Sequence, residues 1–312
     1  MSSFLVTGGC GFVGSHLVEE LLAQGHHVTV LDSLTYAGSL RNIAHLSSPR
    51  LEFVYHDFSH PLPKLRHFDY VIHNGAESHV LRSLTDPGLF VQSNVIGTLN
   101  LLEWARFEMP DKFVYVSTDE VFGPAGDEPY HEGDRLKPTN PYSATKAGGE
   151  FLVRSYFRSF GVPALITRTI NMFGERQHPE KFVPLAIKKI LAGEVVDIHA
   201  HEGVVGSRQW VYAGGQAKAL AWLAENGEPG KAYHVSEGVW KSNLEVAQLI
   251  AQILDLPLNY QLKEYAWSGH DFSYSISTRG TPEHVNWKMN DSFEKLFEKT
   301  VRWYVDNPGW LA

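Results

Sequence analysis

Two short segments of this 312-residue chain carry side chains that could do acid, base and proton-transfer chemistry. One is Ser117-Thr118-Asp119-Glu120, two hydroxyls followed by two carboxyls; the other runs from Tyr142 to Lys146. Tyr142 and Lys146 are four residues apart in a stretch that follows Asn140-Pro141 and reads as the opening of a helix, so they share one helical face. A phenol of pKa about 10 is a poor base at neutral pH, and an ammonium one turn away is expected to favour its phenolate. Adjacent carboxyls oppose each other's ionisation, so one of Asp119 and Glu120 can stay protonated while the other acts as a base. Because the two are coupled, their roles could be exchanged.

A Tyr-x-x-x-Lys spacing also occurs on exposed helices that do nothing, and the N-terminus is what gives it weight. The strand Phe4-Leu5-Val6 runs into Thr7-Gly8-Gly9-Cys10-Gly11-Phe12-Val13-Gly14, followed by a helical pattern that ends at Gly25. Gly8, Gly11 and Gly14 permit a tight turn, close approach of backbone N–H groups to a pyrophosphate, and close packing of helix on sheet. A second strand, His27 to Leu31, ends in Asp32, eighteen residues past Gly14, where an acid binds an adenosine ribose diol. Asp32 is followed by Ser33-Leu34-Thr35, with no arginine to receive a 2'-phosphate, which favours NAD over NADP. Asp57, after the strand Leu51 to Tyr55, is an expected adenine contact, although aspartate after a strand is also ordinary turn chemistry.

These segments must be positioned by larger elements. Strands are expected at Phe4 to Thr7, Val28 to Leu31, Leu51 to Tyr55, Tyr70 to Asn74, Lys112 to Ser117 and Ala164 to Arg168. Two long amphipathic helices, Leu89 to Phe107 and Tyr142 to Phe160, separate the last three. This alternation predicts an α/β fold with a doubly wound parallel sheet, whose ligands lie at the carboxyl ends of the strands. The glycine turn, Asp32, Gly75-Ala76-Glu77 and Thr118-Asp119-Glu120 all fall there. A cofactor-binding domain is expected over 1–170, with 205–235 returning to it, and a smaller substrate-binding lobe over 171–312. Apolar residues beyond what one sheet face needs, among them Trp104, Phe151 and Phe157, make a homodimer through the two long helices an expectation.

Bulk properties narrow the function classes. The chain is 43% hydrophobic with a formal net charge of −8 and no dense Lys/Arg tract, which disfavours nucleic acid as a partner. Cys10 is the single cysteine, so no internal disulfide can form. No apolar run approaches the roughly 18 residues of a membrane span, and the first strand begins too early for a signal peptide; a soluble, cytoplasmic protein is expected. Among sixteen histidines, His199 and His201 would share one face of an extended segment, but no third ligand stands at a familiar spacing, so no metal is expected.

The chain resembles the extended short-chain dehydrogenase/reductases, with their Rossmann sheet, and within them the nucleotide-sugar 4,6-dehydratases. The resemblance rests on Thr7 to Gly14, Leu34 to Gly38, Ala76 to Val80, Ser93 to Thr98, Ser117 to Gly123, Tyr142 to Lys146, Pro179 to Pro184, Arg208 to Tyr212 and Gly269 to Asp271. It implies that Tyr142, supported by Lys146, removes the 4-hydroxyl proton of a nucleoside-diphosphate hexose while C4 gives hydride to NAD, with Thr118 hydrogen-bonded to that hydroxyl. Glu120 would then take the C5 proton and Asp119 protonate the departing C6 hydroxyl, leaving a 4-keto-6-deoxy sugar. The implied cofactor set is Gly8, Gly11, Phe12, Val13, Gly14, Asp32, Ser33, Asp57, Phe58, Gly75, Ala76, Ser117, Tyr142 and Lys146. The implied substrate set is Ser78, Thr118, Asn171, Lys181, Phe182, Arg208 and His270, with Arg208 first for the diphosphate because a guanidinium binds phosphate bidentately.

Several positions depart from the family pattern. Met172 replaces a second asparagine, Gln209 an aspartate, and Val239 an asparagine; in Trp267 to Tyr274 two arginines expected on the nucleotide side are missing. These changes leave the elimination chemistry intact and bear on base and sugar. The competing expectations are a dehydratase of other regiochemistry or a 4-epimerase, and, from another class, a non-catalytic NAD-binding sensor or scaffold.

Overall fold

The structure is a computed structural model that describes residues 1–125, 128–236, 238–264, 274–278 and 291–312. The strands are β1 Ser3–Thr7, β2 His27–Asp32, β3 Leu51–Tyr55, β4 Tyr70–His73, β5 Lys112–Thr118, β6 Ala164–Thr169, β7 Asn171–Phe173, β8 Val196–Ala200, β9 Ser207–Tyr212, β10 Ala232–Val235, β11 Val239–Ser242 and β12 Tyr260–Glu264. The α-helices are α1 Phe12–Ala23, α2 Val80–Thr85, α3 Pro87–Val91, α4 Gly97–Glu108, α5 Pro141–Phe160, α6 Phe182–Leu191, α7 Ala213–Asn226, α8 Asn243–Leu254 and α9 Phe293–Asp306.

Seven strands pair in parallel in the order β10-β6-β5-β4-β1-β2-β3. The chain winds outward from β1 in both directions, so the sheet reverses order between β1 and β4, and a crevice opens there at the strand ends. Parallel strands covered on both faces need near-continuous apolar runs, and β5 is buried at every position. Helices α1 and α7 cover one face with a core of Val6, Leu17, Val30, Val114 and Leu220. The other face packs Leu5, Phe58, Leu101, Phe113 and Tyr156.

The segment expected as one helix over Leu89 to Phe107 begins earlier, at Pro87, and is interrupted. Between α3 and α4, Gln92–Ile96 forms a π-helical turn, with right-handed helical backbone retained through Val91, Ile96 and Gly97. The widened turn brings Asn94 inward. Its amide accepts from Glu77 N at 2.9 Å, and donates to Glu77 O at 2.9 Å and Thr145 Oγ1 at 3.0 Å. Such insertions gather at functional sites.

Beyond β6 the chain builds a second core from Phe173, Ile187, Ile198, Trp210, Ile250 and Phe297, between the sheet β11-β9-β7 and helices α6, α8 and α9. Within 205–235, α7 and β10 lie on the large sheet, whereas β9, expected with them, belongs to this second core, where it pairs with β7 and β11. The C-terminal end ties the halves together. Tyr304 Oη bonds to Gly174 O and Gln177 O at 3.2 and 3.1 Å, and Arg41 stacks over Trp310 while donating to Gly309 O at 2.9 Å. No helix among the described residues is long and apolar enough to cross a membrane.

Candidate active site

A cavity of about 570 Å³ lies at the carboxyl ends of the strands, with the glycine turn at one end and Tyr142, Lys146, Asp119 and Glu120 at the other. At the first end, Gly8 has a left-handed φ of +65° and its carbonyl accepts from Gly11 N at 3.1 Å, closing the turn. A Cβ at Gly14 would collide with Gly8 O, so α1 approaches the strand this closely only with glycine there. Gly14 therefore lies beneath the cavity wall, while Gly8, Gly11, Phe12 and Val13 line it. Asp32 is buried at the end of β2 and lines the same end; its carboxylate accepts from Cys10 N at 2.9 Å and Leu34 N at 2.8 Å. Burial raises its pKa and these two backbone bonds oppose the rise. An open glycine cradle and an anchored carboxyl eighteen residues on fit a dinucleotide. Ser33, Asp57, Phe58, Gly75, Ala76 and Ser117 line the wall between the two ends.

At the other end, Thr118 closes β5 and caps the short turn Asp119–Phe122 by accepting from Glu120 N at 3.3 Å. Its hydroxyl also donates to Asp119 Oδ1 at 3.2 Å and is hydrogen-bonded to Tyr142. Asp119 is 5% exposed, and its Oδ2 has no hydrogen-bond partner among the described residues. Its pKa is pushed up to about 8 by burial and then by the Glu120 charge, against the pull of Thr118 and Arg208. The adjacent Glu120 accepts from Tyr274 Oη at 3.4 Å. Burial thus favours the protonated form of Asp119.

Tyr142 and Lys146 share one face of α5, started by Pro141 and an Asn140–Ser143 capping box. The expected ammonium-to-phenolate contact is absent from the bonding of Lys146. Its Nζ donates to Val116 O at 2.6 Å, because the end of β5 presents that carbonyl to the helix. Burial first, and then the Glu120 charge, raise the Tyr142 phenol well above its ordinary pKa. Burial brings Lys146 down to about 7. Burial thus works against the charged form of each group, and Glu150 opposes it at Lys146.

Ser78, Asn171, Lys181 and Phe182 also line the cavity, and Lys181 Nζ donates to Ser78 O at 3.4 Å. Arg208 sits on β9 outside the lining, bridged by its main chain to Tyr274 and near enough for its charge to act on Asp119. His270 and the altered segment from Trp267 to Ser273 lie outside the described residues. Glu77, expected at the strand ends, lines the cavity, as do residues not anticipated as site residues, notably Tyr36, Gln92, Thr169, Gln177 and His178. Tyr36 and Glu77 stand inside stretches that carried the resemblance. Gln177 and His178 follow a loop bent by the left-handed Arg176, φ +68°, which no periodicity signals.

A doubly wound sheet with a dinucleotide cradle facing a Tyr–Lys helix defines the short-chain dehydrogenase/reductase class of oxidoreductase-like enzymes. Residues 4–236 match the model of the NAD dependent epimerase/dehydratase family, and the chain belongs to that family. It is 35% identical to a dTDP-glucose 4,6-dehydratase of Xanthomonas campestris pv. campestris (strain B100), over 100% of this chain and 95% of that one. It is 39% identical to the low-salt glycan biosynthesis protein Agl12 of Haloferax volcanii, over 96% of this chain and 98% of the relative. Among solved structures, DesIV, a dTDP-glucose 4,6-dehydratase from Streptomyces venezuelae with NAD and TYD bound, superposes with a TM-score of 0.93 at 36% identity, covering 99% and 98% of the two chains. A UDP-N-acetylglucosamine 4-epimerase from Methanobrevibacter ruminantium superposes with a TM-score of 0.89 at 26% identity, covering 98% and 99%.

Proposed function

We propose that the protein is an NAD-dependent hydro-lyase that converts a nucleoside-diphosphate hexose to its 4-keto-6-deoxy derivative. The observation that carries this reading is the buried Asp119 beside Glu120, its carboxyl pushed toward the protonated form by burial, in one cavity with Tyr142 and Lys146 and across from the glycine turn. Epimerisation at C4 needs only removal and return of hydride, whereas an acid and a base side by side suit the loss of water across two adjacent carbons. The dehydratase names of the full-length relatives support the same choice.

NAD, when bound, would supply the acceptor for the C4 hydride and the donor of a hydride to C6. Gly8, Gly11, Phe12 and Val13 hold its pyrophosphate end, and Asp32 with Ser33 its adenosine ribose. Tyr142, once ionised beside the Lys146 ammonium, removes the proton of the 4-hydroxyl, steered by Thr118. Glu120 takes the C5 proton, acidified by the adjacent ketone, and Asp119 gives its proton to the departing C6 hydroxyl. Lys181, Asn171 and Arg208 carry the diphosphate side, with Ser78 and Phe182 against the sugar. Residues 1–170 with α7 and β10 form the cofactor half, and the rest of the chain mainly the sugar-nucleotide half. Phe107 and Phe151, 76% and 60% exposed on α4 and α5, are proposed to be covered by a second copy of the chain.

Incubation with dTDP-glucose, UDP-glucose, CDP-glucose, GDP-mannose and UDP-GlcNAc in deuterated water tests the reading. Loss of water with deuterium at C5 and a 4-keto product is expected from at least one. A 4-epimer with no loss of water would replace the reading by the epimerase, and NAD-loaded protein inert toward all five would replace it by a binding protein.

A further inference from the structure

Lys146 poses a problem that its spacing from Tyr142 does not solve. It is 3% exposed, its Nζ meets a carbonyl rather than a carboxylate, and a dry site pushes an amine toward its neutral form. An amine that has lost its proton could neither hold a phenolate nor carry charge toward a ribose.

Two features oppose that loss. The Nζ lies 4.3 Å from the centroid of the Tyr115 ring, on β5 beneath the helix. A cation over an aromatic face is stabilised most where water is excluded. Tyr115 reaches this place because residue 149 is glycine: a Cβ there would strike the Tyr115 hydroxyl, which instead donates to Lys146 O at 3.3 Å. One turn further along α5, the wholly buried Glu150 accepts from Arg168 Nε at 2.9 Å and Nη2 at 2.7 Å. That bidentate pair keeps Glu150 an anion inside the protein, four residues from Lys146 and on its side of the helix. Arg168 is in turn fixed by Glu132 O at 3.0 Å and lies 4.7 Å from the Phe122 ring centroid, at the end of the turn that bears Asp119 and Glu120.

We propose that Tyr115 and Glu150, the latter tied to Arg168, are positioning residues that keep Lys146 an ammonium ion and hold it in place for the Tyr142 step. This rests on the dehydratase reading only for its effect on rate. Other charged or titratable groups around Lys146 do not supply the same support. His73, on β4, is bonded through both ring nitrogens to Thr7 and Thr98 and is kept neutral by burial and by Lys146 itself. Tyr142 is held as a phenol and Asp119 as an acid. Glu120 accepts from Tyr274 Oη at 3.4 Å, and Arg154 faces Glu150 at 3.9 Å.

The test uses full-length protein labelled with 13C-lysine, the Lys146 signal being identified by its loss in Lys146→Met. Tyr115→Leu removes the ring without touching the ion pair. The double change Glu150→Gln with Arg168→Met removes the carboxylate without stranding a buried guanidinium. Either is expected to lower the Lys146 titration midpoint by about one pH unit. The alkaline limb of substrate-driven cofactor reduction should move down by the same amount, with kcat affected more than KM. Tyr115→Phe, which keeps the ring, should leave the Lys146 midpoint in place. A folded Tyr115→Leu variant with an unmoved Lys146 midpoint overturns the proposal, and a moved midpoint with an unmoved rate limb overturns its catalytic part. Absence of any 4-keto product from the unaltered chain would overturn the dehydratase reading instead, while the NMR titration still decides how Lys146 is held.

Discussion

Asp119 and Glu120 differ by one methylene, yet burial gives them different work. With its pKa raised to about 8 from an ordinary 3.8, Asp119 can donate a proton below about pH 8 and loses that ability above it. The rate of water loss should therefore fall on the alkaline side of about pH 8. Asp119→Asn should cut kcat by about 10²- to 10⁴-fold yet still reduce NAD, seen as absorbance of the reduced cofactor without product. The same shift has a stability side. A carboxyl whose folded pKa exceeds its unfolded one favours the folded state at low pH, and that advantage is lost as pH rises from about 4 through 8. Asp119→Asn should accordingly raise Tm by a few degrees at pH 8 relative to its effect at pH 4, and an equal effect at both would refute the burial argument. Glu120→Gln should abolish deuterium incorporation at C5 while leaving the first oxidation measurable.

The interrupted helix from Pro87 to Glu108 shows how an element serves the site. Asn94 satisfies both backbone groups of Glu77 and reaches Thr145, whose hydroxyl donates to Tyr142 O at 2.8 Å. Asn94→Ala would leave those buried groups unpaired, at about 2–3 kcal/mol, and should also weaken NAD binding by calorimetry because Gly75 to Glu77 wall the cavity. The apolar stripe of this helix is plain in the sequence, but the pairing of Asn94 in the π turn is not, since Glu77 reaches it from the loop after β4. The same distinction runs through the site. Strands β1 to β6 could be read as apolar runs, and the glycine turn, Asp32 and the Tyr142–Lys146 face as local patterns. The partner of Lys146 could not, because the Val116 carbonyl reaches it only after sheet and helix have packed. Gln177 likewise gains its place from Tyr304, 127 residues away, which accepts its backbone N–H at 2.9 Å.

The assembled molecule joins two cores through one cleft, and Phe107 and Phe151 stand exposed on α4 and α5. If a second copy covers them, Phe151→Glu should convert a dimer to a monomer by analytical ultracentrifugation while leaving the fold unchanged by circular dichroism. A wild-type protein already monomeric at micromolar concentration would remove that proposal. The Glu150–Arg168 pair also belongs to the whole molecule, since it fastens α5 to β6 with both side chains wholly buried. Glu150→Ala alone strands a guanidinium and should destabilise the protein by about 3–5 kcal/mol in urea denaturation.

The order in which the large sheet is completed has a consequence for biosynthesis. Its outermost strand, β10, comes from residues 232–235, whereas its neighbour β6 is finished at Thr169 and is buried throughout. On the ribosome, more than sixty residues must emerge before β6, already paired with β5, acquires its outer partner, and meanwhile that edge stands open on a nascent chain. A ribosome stalled before residue 232 would thus carry an adhesive edge, which makes this stretch of synthesis the interval in which a chaperone matters most.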